Sequence, residues 1–159
     1  MDEEKRQAEL MLFIEDLGLF FEQEGLPRMA GRILGWLLVS DPPHQSMNQL
    51  VEALLASKAS ISNTTRMLIQ IGLIERISLP GHRRDYFRIK PNAWHQLIKE
   101  ETVRLTAIRK LADRGLDLLA DKGDVFRNRL QEMRNLYAFF EREWPALLEH
   151  WERTQEQNQ

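Results

Sequence analysis

Apolar positions in this chain fall at helical spacing along most of its length, interrupted once by a short stretch of β-prone residues. Leu10, Phe13, Ile14, Leu17, Phe20 and Phe21 follow i, i+3, i+4 and i+7 intervals, which predicts an amphipathic helix ending near Gly25. Pro27 suits the start of a second helix that carries Ile33, Leu34, Leu37 and Leu38 and stops before Asp41-Pro42-Pro43. After Pro91, Asn92 opens a further helix with Trp94, Leu97, Ile98, Leu105, Ile108, Leu111 and Leu119 as candidate buried positions. Gly123-Asp124 is a stop-and-restart signal, a C-terminal glycine followed by a cap. In the last helix Phe126, Met133, Phe140 and Leu147 lie seven apart, and so do Leu130, Tyr137, Trp144 and Trp151. Such a seam needs a partner helix, and its aromatics favour a mixed bundle over a tight two-stranded coil. Pro145 is expected to kink or split this helix, and the polar residues after Trp151 to fray.

Residues 46–89 break the pattern and carry the most information. Ser46 to Gln49 has the S-x-x-Q form of a capping box, and Leu50 and Leu54 give a short helix ending near Ala56. Ser57 then suits the N-cap of a second short helix, in which Ile61, Leu68 and Ile71 share one face. Its other face is expected to carry Lys58, Ser60, Ser62, Asn63, Thr64 and Arg66. Asn pairs bidentately with adenine, Arg and Lys with guanine, and hydroxyls serve bases or phosphates. Taken alone, this reads more readily as a solvated helix face. Position decides, because a β-hairpin follows: Leu73–Ile77 and Tyr86–Ile89 are β-prone, and Pro80-Gly81 fits the centre of a type II turn. His82, Arg83 and Arg84 fall at or beside the tip, where arginine can enter a minor groove or clamp phosphates. Two helices and a basic wing in this order predict a winged helix-turn-helix, with recognition helix 57–71 and wing 76–89.

Charge is partitioned to match. The chain is near neutral, at −2, yet residues 57–90 hold seven basic groups against two acidic ones, a local +5, while residues 1–26 carry −6. A basic patch within a neutral protein suits a localised interface with double-stranded DNA rather than a general nucleic-acid coat. With no cysteine, disulfides and thiol redox sensing are excluded, and the four scattered histidines offer no metal-ligand pair. No phosphate loop, nucleophile elbow or H-E-x-x-H motif occurs, so neither catalytic residues nor a cofactor are expected. No apolar run is long enough to span a bilayer, and the MDEEKRQAE start is too polar for a secretory signal. The expectation is a cytoplasmic, soluble protein.

The segments GLPRMAGRILGWLLVSDPP and ASKASISNTTRMLIQIGLIERISLPGHRRDYFRI resemble the GbsR branch of the MarR-type transcriptional regulators. The likeness covers residues 10–95, with GLPR-x-x-GR-x-LG-x-L and R-x-S-x-PG-x-RRD-x-F its most specific parts; residues 96–159 match only in being helical. It implies a dimeric winged-helix regulator, usually a repressor, whose DNA affinity often responds to a small molecule. By position, Ser57 to Arg66 match the opening of the recognition helix and His82 to Arg84 the wing tip. Gly25 to Arg28 and Gly31-Arg32 match the start of the family's second helix, in a scaffold or a DNA-contacting role. Some relatives in that branch are associated with choline and glycine betaine, which an aromatic cage would hold by cation–π contact. Phe20, Trp36 and Tyr137 are candidate effector contacts on that ground, although core packing explains them as well.

The expected fold is mainly α with a small β-hairpin. A dimerising N-terminal helix (1–26) precedes the winged helix-turn-helix (27–91), and a C-terminal helical dimerisation region (92–159) follows. The expected function is a sequence-specific, homodimeric DNA-binding regulator, most readily a repressor on a near-palindromic operator. The alternative is a winged-helix module that binds a protein partner and no DNA.

Overall fold

Three glycines set how the first two helices meet. In the computed structural model, which describes residues 2–157, α1 (Glu3–Gln23) lies along α2 (Arg28–Val39). A Cβ on Gly31 would stand 2.2 Å from the Leu17 carbonyl oxygen, and one on Gly35 3.2 Å from the Ile14 Cα. Glycine at these positions lets the two backbones approach closely enough to bury Ile14, Ile33 and Leu34 completely. Gly25, at φ 81°, turns the chain between them.

The chain continues through β1 (His44–Ser46), α3 (Met47–Leu54), α4 (Lys58–Ile71), β2 (Ile74–Ser78) and β3 (Asp85–Ile89). The sheet is antiparallel in the order β1-β3-β2, so the expected hairpin gains a third strand, with His44 opposite Arg88 and Ser46 opposite Tyr86. Three residues are too few to show an alternating pattern; β1 exists because β3 offers it an edge. Ser46 serves both elements, ending β1 and capping α3. Its hydroxyl accepts from the Gln49 amide at 3.2 Å, while the Gln49 side chain accepts from the Ser46 amide at 2.8 Å, the anticipated capping box. Leu50, Leu54, Ile61, Leu68, Leu73, Ile74 and Phe87 close the core under the sheet.

Between α3 and α4 the chain turns at Leu55, which adopts φ 48°, ψ 45° and is 92% exposed. A branched side chain in the left-handed region costs about 1 kcal/mol or more, and so exposed a leucine recovers almost none of it by burial. Leu55→Gly is therefore expected to stabilise the fold by about 1 kcal/mol and to raise the melting temperature by about 2–4 °C, read by circular dichroism.

These elements form one compact unit, Met1–Ala93, and Trp94–Gln159 forms the other. The first therefore includes α1, which the sequence reading set apart. The second is a pair of long helices, α5 (Ala93–Leu118) and α6 (Asp124–Gln157). Of the seven positions expected to be buried here, Leu105 is, whereas Trp94, Ile98 and Leu111 are exposed; Ala112 and Leu116 fill the buried places instead. Helical periodicity marks an apolar face without saying whether the chain itself or another molecule covers it. Nor does Pro145 split α6, which runs through it and onward past Trp151 to Gln157. Proline removes a single intrahelical hydrogen bond, and the long helical stretches on either side carry the element across that gap.

A polar cluster ties α5 to α6. Arg109 donates to Glu141 and to Asp113, Arg134 Nε donates to Asp113 at 3.0 Å, and Thr106 Oγ1 donates to Glu141 at 2.8 Å. The hydrogen bond from Arg134, reinforced by the charge of Arg109, holds the Asp113 carboxyl below its ordinary value of 3.8. Hydrogen bonds from Arg109 and Thr106 hold the Glu141 carboxyl below 4.5. A carboxyl depressed in the folded state stabilises that state fully above its unfolded value and ceases to as pH falls through the depressed one. Melting of the second unit is thus expected to be flat from pH 7 to about 5 and to fall in acid below about pH 4.5. Glu141→Gln should flatten that acid limb in a series of thermal unfolding scans.

Candidate nucleic-acid interface

Local chemistry positions α4, the candidate recognition helix. The Ser57 hydroxyl accepts from the Ser60 amide at 3.1 Å and caps α4, which ends at Gly72 in the left-handed conformation. Ser57 is thus occupied as a cap, although it remains exposed. Lys58, Asn63 and Arg66 are exposed as expected, while Ser60 and Ser62 are half-buried. Thr64 departs from expectation. It is only 7% exposed and stands with Ile61, Thr65 and Leu68 on the buried face at i, i+3, i+4 and i+7. Threonine has a methyl as well as a hydroxyl, and here it fills an apolar place; the Thr65 hydroxyl is satisfied by donating to the Ser62 carbonyl at 3.1 Å. The free face of α4 runs instead along Ala59, Asn63, Arg66 and Gln70, a row at helical spacing that adds Ala59 and Gln70 to the candidate surface.

The wing has the expected turn. The His82 amide donates to the Leu79 carbonyl at 3.1 Å and Gly81 takes φ 78°, as a type II turn over Leu79–His82 requires. The base of the wing is held by its own contacts. Ser78 Oγ donates to Asp85 at 3.2 Å, Arg88 pairs with Glu75 at 2.7 Å, and the Arg76 guanidinium lies 5.8 Å from the Phe87 ring centroid. His82 Nδ1 meets the Tyr86 hydroxyl at 3.0 Å, and the rings of His82 and His44 both stand edge-on to Tyr86. Arg83 and Arg84 are exposed.

These ion pairs sharpen the basic patch. Arg76 and Arg88 have carboxylate partners, at 3.8 and 2.7 Å, whereas Lys58, Arg66, Arg83 and Arg84 have none among the described residues. Helix and wing also meet at one place. A concavity of about 390 Å³ is lined by Ser46, Met47 and Asn48 at the start of α3, by Lys58 at the start of α4, and by Arg76, Arg84, Asp85 and Phe87 of the wing. Three cationic side chains beside the amide end of a helix suit a phosphate. Asp85 is the one acid in the lining, and Arg76 is its partner. Asn48 and Arg76 were not singled out from the sequence as contacts; only the fold brings them beside Lys58.

Of the candidate effector residues, Trp36 has a hydrogen-bond partner of its own. Trp36 Nε1 donates to Gln45 Oε1 at 3.1 Å, and Gln45 in turn donates to the Pro42 carbonyl at 2.9 Å, a chain that secures β1 to α2. Phe20 is exposed on α1 and meets Phe21 edge-on, and Tyr137 is half-buried on α6. Among the described residues no group of three His, Asp or Glu is arranged to hold a metal ion.

Comparison with known proteins bears on both units. The profile of the MarR family matches residues 24–85, and that of the MmpR5-like MarR family transcriptional regulators matches residues 92–155. The HTH-type transcriptional regulator MmpR5 of Mycobacterium tuberculosis is 45% identical over 141 residues, covering 89% of this chain and 86% of that protein. A crystal structure described as that of a transcriptional regulator is 43% identical, covers 91% of this chain and 99% of its own, and superposes with a TM-score of 0.75.

Proposed function

The chain belongs to the MarR family of winged-helix, DNA-binding transcriptional regulators, with MmpR5-like relatives, and on that premise we propose that it works as a homodimeric repressor on a near-palindromic operator. The family consists of regulators rather than enzymes, and the relatives do not favour a winged helix that binds only protein. The observation that carries the proposed interface is the shared concavity of Lys58, Arg76 and Arg84. In this reading α4 enters the major groove with Asn63 and Arg66 toward base edges, aided by Lys58, Ser60 and Ser62. His82, Arg83 and Arg84 extend to the flanking backbone or minor groove. Thr64 drops out of that set, and Ser57 acts as the cap.

Dimerisation is supported by apolar surface that one chain leaves open. Phe126, Leu147 and Trp151 of the α6 seam are each about half exposed, and no residue of that helix is buried. On α1, Leu12 and Phe20 are exposed as well. Twofold pairing of such surfaces would set two copies of α4 about one turn of DNA apart. Sedimentation of the purified protein, alone and with a selected duplex, tests this reading. Two chains are expected in the free particle and two per duplex; a monomer that binds a half-site alone would refute it. No helix among the described residues is long and apolar enough to cross a membrane. The finer placement in the GbsR-like branch rests on the two motifs alone.

A further inference from the structure

Arg32 lies in the GLPR-x-x-GR motif, and the basic wing leaves it no part to play. Its side chain is 19% exposed, and its guanidinium reaches two other helices. Nε donates to Glu15 Oε1 on α1 at 2.7 Å, and Nη2 donates to the Leu54 carbonyl at the end of α3 at 2.9 Å. The second oxygen of Glu15 is taken by Arg28 at 3.0 Å, so the carboxylate is fixed from both sides. Space for the arginine stem is provided on α1 as well: a Cβ on Gly18 would stand 2.8 Å from Arg32 Cγ.

The carbonyl chosen is the informative part. At the end of α3 the Val51 and Glu52 carbonyls accept from Ala56 and Leu55, as a left-handed helix end allows. Leu54 instead belongs to the peptide plane next to Leu55, where the chain leaves α3 and swings toward the Ser57 cap of α4. A guanidinium holding that plane fixes the direction in which α4 departs. We propose that Arg32 is the positioning residue of the recognition helix, setting α4 against α1 through Glu15 and the Leu54 carbonyl without itself touching DNA. The proposal rests on α4 being the reading helix. It also makes α1 the reference for α4, so a displacement of α1 would be passed to the DNA-reading surface.

The test uses the full chain with Arg32→Gln, Arg32→Lys and Glu15→Gln, and Asn63→Ala as a reference. Affinity is measured for the preferred duplex and an unrelated one over a salt series, beside thermal unfolding. Arg32→Gln is expected to lower affinity for the preferred duplex tenfold or more while the unrelated duplex loses under threefold. Its salt slope should be unchanged, because no phosphate contact is removed. Glu15→Gln should act in the same direction more weakly, and Arg32→Lys should recover part of the loss by keeping one donor. A slope reduced by about one with equal losses on both duplexes would make Arg32 a phosphate contact and overturn the proposal. So would a folded Arg32→Gln protein within twofold of wild type on both. If Arg32→Gln fails to fold, Glu15→Gln decides by the same criteria. A preference that Asn63→Ala leaves intact would instead overturn α4 as the reading helix, whatever Arg32 does.

Discussion

Replacing Arg83 and Arg84 together by alanine is expected to weaken binding to every duplex, preferred or unrelated, by roughly ten- to hundredfold at moderate salt. Both side chains are exposed beside the wing tip, and neither has a carboxylate partner among the described residues, so their charge is free for phosphate. Each neutralised phosphate contributes about 0.9 to the slope of log affinity against log salt, so the double variant should flatten that slope by nearly two. Asn63→Ala should do the reverse, leaving the slope alone and changing which sequence is preferred. Fluorescence anisotropy over a salt series separates the two. A wing variant that binds with wild-type slope would remove the wing from the interface. The fold should survive the change, because the wing is held by the Leu79–His82 turn and the Asp85 and Glu75 contacts, none of which uses Arg83 or Arg84.

Alanine at Gly31 is expected to have the largest effect on stability, a loss of about 3 kcal/mol or more, toward the severe end for overpacking. The added methyl would lie 2.2 Å from the Leu17 oxygen and 2.7 Å from the Gly18 Cα, both backbone atoms that cannot swing aside. α1 must then back away from α2, which opens the packing around Ile14 and draws Glu15 from Arg32. A melting temperature lower by about 6–12 °C follows from the usual scaling for a chain of this size. Gly115→Ala is the matched control: the atoms nearest its methyl would all belong to the Leu130 side chain, the first at 2.8 Å, and that tip can rotate. Equal effects of the two alanines would contradict the close approach of α1 to α2.

What the sequence revealed of this fold was its local chemistry. The capping box at Ser46, the cap at Ser57 and the turn at Pro80-Gly81 are each specified by residues within four positions of one another, and each stands where expected. What escaped was decided at a distance. β1 has no pattern of its own and forms only against β3. Thr64 and Thr65 look polar along the chain, yet they complete the buried face of α4. On α5 the periodicity is plain, but Trp94, Ile98 and Leu111 are open while Ala112 and Leu116 are covered, because the repeat carries no mark of which partner fills it. At the site, the motifs singled out both Lys58 and Arg84. Their meeting in one concavity with Asn48 and Arg76, and the reach of Arg32 to the Leu54 carbonyl, depend on how α2, α3 and the sheet are folded together.

The central claim is that α4 and the wing together read DNA as a twofold pair. The most direct measurement is selection of genomic fragments by the purified protein at near-physiological salt, sequencing what is retained, run in parallel with Asn63→Ala. The account predicts enrichment of a near-palindrome with half-sites about one helical turn apart, and a changed half-site for the variant. Retention without sequence preference, or an identical motif for both proteins, would contradict it.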